Sequence, residues 1–475
     1  MKTRLTVLIL SFLAVLLWTY PAASAQSIAP RQLPFPSNAG NVGATGVNAC
    51  GDIVGGTSSP DVLPSRAVWW DDRTFAYLPG DGARAAAINN RGQIVGDNGV
   101  HAVLWQSGHV TDTVLGDDLG NGVNNSFSFA TDINDAGEIV GQADFGVAVM
   151  WKNGQIQRLS VPPNAVYGIA QSINNRGQIV GAVQLSGGEN HAALWDNGVF
   201  EDLGTFGSVS ANAVGINDLG QVLIYSQDQS ANQAQAILWE NGQVTNISTG
   251  FPGTWTLSSA INNFTQAVGY GAFNSSVQAW LWHDSSTIRL LGLPPVQGTD
   301  YTMPGRINDH GLVVGTSQGQ PVTWDAPANP PHQISAGGPA VCPYAADTDF
   351  TGGKTSVHTV TVDTSAVLDP APQQVYQSLR FGNFTYTIPG SVAGSSHRVR
   401  LHFAETFWTT VGQRLFNVNI NGARVLTDYD IVAAAGGARK AVVEEFTVPA
   451  DSNGQYVISF STVRDNAAVS GIEIE

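Results

Sequence analysis

The sequence predicts an all-β protein in two parts, a seven-bladed β-propeller over residues 30–333 and a β-sandwich over residues 334–475. Three observations carry this expectation. A nine-residue pattern recurs seven times, a Trp recurs with it, and after Trp324 both stop at a Pro-rich stretch. Composition agrees: of 475 residues 53 are Gly and only 12% are charged, about half the usual share of roughly 25%. That balance argues against a helical bundle or a coiled coil.

The repeat begins as Val-Asn-Ala-Cys-Gly-Asp-Ile-Val-Gly at Val47 and restarts at Ile88, Ile133, Ile173, Ile216, Ile261 and Ile307, spaced by 41, 45, 40, 43, 45 and 46 residues. This period suits four short antiparallel strands per unit. Within Ile88 to Gly96 a strand ends at Asn89-Asn90, turns at Arg91-Gly92 and resumes as Gln93-Ile94-Val95. Asn and Gly supply the side-chain hydrogen bonds and positive φ of a tight hairpin. A third strand ends in Trp69, Trp105, Trp151, Trp195, Trp239, Trp282 or Trp324, whose large apolar area suits packing between blades. A fourth follows, as in Val110 to Leu115 and Ile156 to Leu159. Arg31-Gln32-Leu33-Pro34 resembles Gln157-Arg158-Leu159-Ser160 and is expected to complete the blade of Trp324, closing the ring with sequence from both ends. A linear solenoid is the alternative.

The pattern I-N-(D/N)-x-G-x-x-V-G, with His-Ala-x-Leu-Trp at His101 to Trp105 and His191 to Trp195, resembles the HAF-type repeats of bacterial extracellular proteins. The resemblance implies an extracellular β-propeller-like array and no general activity. Thr265 replaces one turn Gly, and Leu223-Ile224 replaces one Val-Gly. His101 and His191 lack acidic or thiol partners at metal-ligand spacing, and the Asn and Asp of the turns lack the alternating acidic ligands of a calcium loop. Turn chemistry accounts for them, and no metal or other cofactor is expected.

The N-terminus has Lys2 and Arg4, an apolar run from Leu5 to Trp18, and Ala23-Ser24-Ala25 before Gln26. This reads as a signal peptide over residues 1–25 cleaved near Ala25; as an anchor the run falls short of the ~20 residues needed to span a bilayer. The expected mature chain is secreted, periplasmic or at the cell surface. It carries 19 positive and 37 negative residues, a net charge of −18, which opposes nucleic acid and anionic lipid.

Residues 325–333 form a Pro-rich linker overlapping the last blade. Beyond it, Val399 to Phe403, Phe416 to Ile420, Ala441 to Val448 and Tyr456 to Phe460 read as strands, and Asn421-Gly422 signals a two-residue hairpin. A β-sandwich of this length is the natural reading.

This part resembles the malectin domain through Ser335-Ala-Gly-Gly-Pro339, Val375-Tyr-Gln-Ser-Leu-Arg-Phe-Gly382, Val399-Arg-Leu-His-Phe-Ala-Glu405, Gly412-Gln-Arg-Leu-Phe416, Asn421-Gly422, Asp430-Ile-Val-Ala-Ala-Ala-Gly-Gly437, and Asp465-Asn466 before Val469-Ser-Gly-Ile-Glu473. The resemblance implies a jelly-roll-like sandwich that binds carbohydrate, with glucose disaccharides as the best-known ligand class, and no catalysis. It carries a carbohydrate-binding role to Tyr376, Phe381, Phe407, Trp408 and Asp465. Phe381 stands where the family often has Tyr, and Phe407-Trp408 where animal members have Tyr-Phe. Independently, two adjacent large aromatics at a strand end suit a sugar's C–H face better than one core face. Packing is the competing role for Tyr376 and Phe381, and turn capping for Asp465. His402 and Glu405, three apart on a strand, face opposite sides and form no catalytic pair.

Cys50 sits at the first repeat's turn and Cys342 just inside the second part. In a closed ring the first and last blades are neighbours, so a Cys50–Cys342 disulfide is expected, with free thiols as the alternative. The expected function is an exported, non-catalytic, lectin-like protein binding glycan through the sandwich, the propeller serving as a platform for an extracellular protein partner. The alternatives are a propeller glycosidase or polysaccharide lyase targeted by the sandwich, or a protein–protein scaffold. Glycoside hydrolysis needs two carboxylates about 5 to 10 Å apart, and Asp117-Asp118 is isolated in a polar loop.

Overall fold

The computed structural model describes residues 28–35, 40–58, 65–71, 74–106, 112–116, 119, 127–228, 233–249, 251, 255–273, 276–283, 289–291, 301–326, 333–389, 391 and 393–474. The expected signal peptide, Asp117-Asp118 and most of the linker lie outside them. The protein is all-β, with two short helices, Gln373–Tyr376 and Ile431–Ala435, among the described residues. None of those residues forms a helix long and apolar enough to cross a membrane.

Each repeat becomes one four-stranded antiparallel meander, seven in all. The third is representative: Ser128–Ile133, Ile139–Ala143, Val147–Lys152 and Gln155–Arg158 pair in sequence order. In the seventh, Thr302–Ile307, Leu312–Ser317 and Gln320–Asp325 are completed by Arg31–Gln32, whose two residues pair with Thr323 and Val322.

The repeated Gly at the second strand is a steric requirement. A Cβ on Gly141 would stand 2.1 Å from the carbonyl oxygen of Phe129, and on Gly181 2.0 Å from that of Ile169. Neighbouring strands therefore approach too closely at these two positions for a side chain, whereas in the fourth sheet Ile224 pairs with Ala213 at the equivalent place and is buried. The first strand of each sheet is also bulged, as between Ala130 and Asp132. Bulges re-aim side chains: Thr131 Oγ1 donates to Ala170 O of the next sheet at 2.8 Å.

The turn Asn joins the sheets. Asn89 Oδ1 accepts from the amide of Gln93 at 2.9 Å, fixing its own hairpin. Its Nδ2 reaches the carbonyl of Asn134 in the next sheet. The same bond runs from Asn48 to Asn89, Asn134 to Asn174, Asn174 to Asn217, Asn217 to Asn262, Asn262 to Asn308 and Asn308 back to Asn48, at 2.9–3.2 Å. Seven buried amides thus close the sheets into a ring. Arg306 of the seventh sheet reaches across its interior to Asp132 of the third, Nη2 to Oδ1 at 3.0 Å.

The register corrects one member of the Trp series. Ile53 pairs with Trp70, as Ile139 pairs with Trp151 and Ile179 with Trp195, so Trp70 occupies the repeat position and Trp69 does not. Trp70, Trp105, Trp151, Trp195 and Trp324 are fully buried, whereas Trp239 is half-buried. Each buried indole removes roughly 150–250 Å² from water, on the order of 4–6 kcal/mol at about 25 cal/mol per Å². Their N–H groups add direction: Trp70, Trp105, Trp151 and Trp195 donate to the carbonyls of Pro34, Pro79, Gly116 and Ser160, each within or just after the outer strand of the preceding sheet.

The second part is a sandwich of two sheets. One orders Ile334–Ser335, Gly471–Ile474, Ser396–Ala404 and Ala441–Pro449. The other orders Phe350–Val357, Ser378–Ile388, Tyr456–Arg464, Leu415–Ile420 and Ala423–Tyr429, with Ala468–Val469 also pairing Ser378–Ile388. Alternation supplies the core: Val399, Leu401 and Phe403 from one sheet meet Phe416, Val418, Ile420, Ile458 and Phe460 from the other. Asn421 and Gly422 form the hairpin turn with φ of 48° and 81°, as a two-residue loop of this type requires.

Ring and sandwich meet at the Asn end of the ring. Cys50 and Cys342 are disulfide-bonded, their Cα atoms 5.5 Å apart. Asn175 Nδ2 donates to Asp369 Oδ2 at 3.3 Å, and Phe264 lies beside His397 with ring centroids 6.5 Å apart.

Candidate functional site

Where the strand Ser396–Ala404 ends, the chain turns through Glu405, Phe407 and Trp408. Glu405 is 2% exposed and organises the turn. Its Oε1 accepts from the amides of Phe407 and Trp408 at 2.9 and 3.0 Å, and its Oε2 accepts from Arg414 Nε at 2.6 Å. A buried carboxylate is tolerable when paired and hydrogen-bonded in this way. Arg414 continues to Asn466 O at 2.6 Å and lies 3.4 Å from Asp465 Oδ2. That oxygen accepts from Trp408 Nε1 at 2.9 Å, closing the network.

The network holds two aromatic rings at the surface. Phe407 is 67% exposed, Trp408 is half-buried, and their planes meet at 89° with centroids 4.8 Å apart. Perpendicular rings present apolar faces in two directions, with the Asp465 carboxylate beside them as acceptor. Asp465 itself adopts the left-handed region, φ 58°, a strained conformation for a non-Gly residue. Flat apolar faces with a few fixed polar atoms are what a pyranose requires.

The structure thus brings together three of the five residues named for carbohydrate. Phe381 is half-buried against the sandwich core; its strand pairs with Ala468, directly after the Asp465 turn. Tyr376 must be corrected: it is 0% exposed, and its hydroxyl meets His402 Nδ1 at 2.9 Å. The short helix Gln373–Tyr376 turns it inward, which fits the packing role over ligand contact. Arg414 and Glu405 had no assigned role, since only the folded loop shows which charge pairs with which.

His402 and Glu405 sit in separate networks. His402 is fully buried with Tyr344, Tyr376 and Glu473, and burial lowers its pKa. Arg400 pairs with Glu473 and, together with His402, holds that carboxyl well below the usual range against its burial. In the ring, His191 Nδ1 has an acidic partner after all, Asp202 at 2.9 Å, because the two lie on paired strands. Among the described residues no group of three or more His, Cys, Asp or Glu is placed to hold a metal ion.

A second layer of polar residues crowns the ring at the junction. Asn90, Asp135, Asn175, Asp218, Asn263 and Asp309 each follow the ring-closing Asn. The amides of Asn90, Asp135, Asn175, Asp218 and Asn263 donate to the side chain of the next member at 2.7–2.9 Å. Alternation of amide and carboxylate makes this possible: Asn263 Nδ2 reaches both Asp218 and Asp309 at 3.0 Å. Ala49 has no such side chain, and the layer opens there, next to Cys50. Burial, reinforced by the neighbouring carboxylates, pushes Asp309 up to about 6 and raises Asp135 and Asp369.

These features define a modular all-β protein, a ring of small sheets joined to a sandwich with an aromatic surface loop. Residues 331–472 match the family described as the malectin domain. A kinesin-like protein KIN-14E of Oryza sativa subsp. japonica is 35% identical over 106 residues, covering 21% of this chain and 10% of that protein. The chain thus spans about a tenth of that curated relative. Among solved structures, the ANX2 ectodomain from Arabidopsis thaliana is similar with a TM-score of 0.30 and 14% identity, covering 44% of this chain and 71% of that one. A β-glucuronidase of Bacteroides uniformis is similar with a TM-score of 0.26 and 12% identity, covering 44% and 27%.

Proposed function

We propose that the protein is an exported, non-catalytic carbohydrate-binding protein whose sandwich grips a saccharide between Phe407, Trp408 and Asp465. In this reading the ring is a seven-bladed β-propeller that serves as a platform for an extracellular protein partner. One observation carries the proposal: two perpendicular aromatic rings fixed at the surface by a buried Glu405–Arg414 pair and the Trp408–Asp465 bond. Holding exposed aromatics in place lowers the ordering cost that otherwise opposes weak sugar binding. The match of residues 331–472 to the malectin domain supports the ligand class.

Calorimetric titration of the full chain with millimolar maltose, nigerose and cellobiose tests it. At least one sugar should bind, and Trp408→Ala should weaken that binding by about tenfold or more, the equivalent of roughly 1.4 kcal/mol. A folded protein that takes up none of them, or a Trp408→Ala variant that binds as before, would refute the rim site.

A further inference from the structure

Between the crown of the ring and the sandwich lies a cavity of about 530 Å³, within the roughly 300–1,000 Å³ range of small-molecule sites. Neither part makes it alone. Its floor is the alternating layer from Asn90 to Asp309, and its walls include Gln333, Tyr344, Asp369, Gln374 and Glu473 of the sandwich. Cys342 also lines it, so the disulfide to Cys50 ties wall to floor.

The chemistry of the lining selects a ligand. Carboxylates dominate the lining, which holds Arg91 as its one basic side chain among the described residues: the single Nδ2 of Asn175 stands 3.4, 3.2 and 3.3 Å from the carboxylates of Asp135, Asp218 and Asp369. Two hydrogens cannot serve three carboxylates fully. Independently, Gln333 Oε1 in the wall is buried without a hydrogen-bond partner among the described residues, a group that costs stability until a donor reaches it. With five acidic side chains against Arg91 in the lining, an occupant that brings several donors and no negative charge fits it best. It also meets apolar ring faces, since Pro343, Pro370 and Pro372 line the same space. Hydroxyl groups on a C–H framework satisfy both demands.

We infer that the junction cavity is a second saccharide site, taking a neutral, hydroxyl-rich ligand of one or two rings. It shares no residue with the Phe407–Trp408 rim and does not depend on that site binding anything.

The test uses the full chain carrying Trp408→Ala, which removes the rim site, and adds Gln374→Trp, which fills the cavity mouth. Gln374 is exposed, so the added ring should leave the fold intact, as a matching melting temperature would verify. Saturation-transfer NMR and calorimetry would be run with neutral hexose and pentose mono- and disaccharides, including maltose and cellobiose, and with glucuronic acid. Trp408→Ala should retain binding of at least one neutral sugar, and Gln374→Trp in that background should weaken it at least about tenfold. Glucuronic acid should not bind. A folded Trp408→Ala chain that binds no neutral sugar overturns the cavity site and leaves the rim site standing; residual binding indifferent to Gln374→Trp also overturns it. Loss through Gln374→Trp alone, with Trp408→Ala unchanged, supports the cavity and refutes the rim.

Discussion

Asp309 shows how much of this protein's electrostatics is set by one turn position. It lies in the crown layer with Asp135 and Asp218 nearby and Asp369 above, and burial with like charges raises its pKa to about 6. An unfolded carboxylate titrates near 3.9. A raised folded pKa favours the protonated form, so the associated stability is complete below about pH 4 and is lost as pH rises through about 6. Asp135 and Asp369 act in the same sense, whereas buried His402, with a lowered pKa, acts oppositely. A difference measurement isolates Asp309. Asp309→Asn keeps the oxygen that accepts from Asn263 and removes the charge. Its melting temperature relative to the unaltered protein should therefore rise from pH 4 to pH 7.5; a difference that stays flat would show that the carboxylate ionises without cost.

At the scale of the sheet, the repeated Gly sets how closely first and second strands approach. Gly141→Ala would force a Cβ against the Phe129 carbonyl, and overpacking of this kind costs about 1–3 kcal/mol. Denaturant unfolding should report a loss of that size, whereas Gly154→Ala, with open space around it but φ 75°, should cost less. The sheet pattern was legible because strand, turn and Trp recur together, and the closing strand because Arg31-Gln32 resembles Gln157-Arg158. The tandem Trp69-Trp70 hid the register by one residue, which only the pairing with Ile53 resolves. The turn Asn was legible as turn chemistry, but its second bond goes to a backbone carbonyl some 40 residues away, which leaves no side-chain signature. Tyr376 illustrates the opposite limit: a motif match fixes a residue's identity, but the helix bearing it turns the ring toward His402.

The whole molecule depends on how ring and sandwich are coupled. Their junction encloses a polar cavity, with Asn175–Asp369 and Phe264–His397 among its direct contacts. Interfaces of this kind permit relative motion unless they are large and apolar. The Cys50–Cys342 bond spans 292 positions in sequence and closes a loop containing nearly the whole ring. Disulfides typically contribute about 2–4 kcal/mol, mainly by restricting the unfolded chain. Here the stabilisation should fall on the ring and on its coupling to the sandwich, because the sandwich's own core lies almost entirely outside the loop. Reduction, or Cys50→Ser with Cys342→Ser, should split calorimetric unfolding into two transitions, the ring melting lower than in the oxidised protein and the sandwich little changed. Saccharide binding at the Trp408 rim should survive, while binding that is sensitive to Gln374→Trp should weaken. Superimposable oxidised and reduced melting curves would mean that the direct contacts alone couple the two parts.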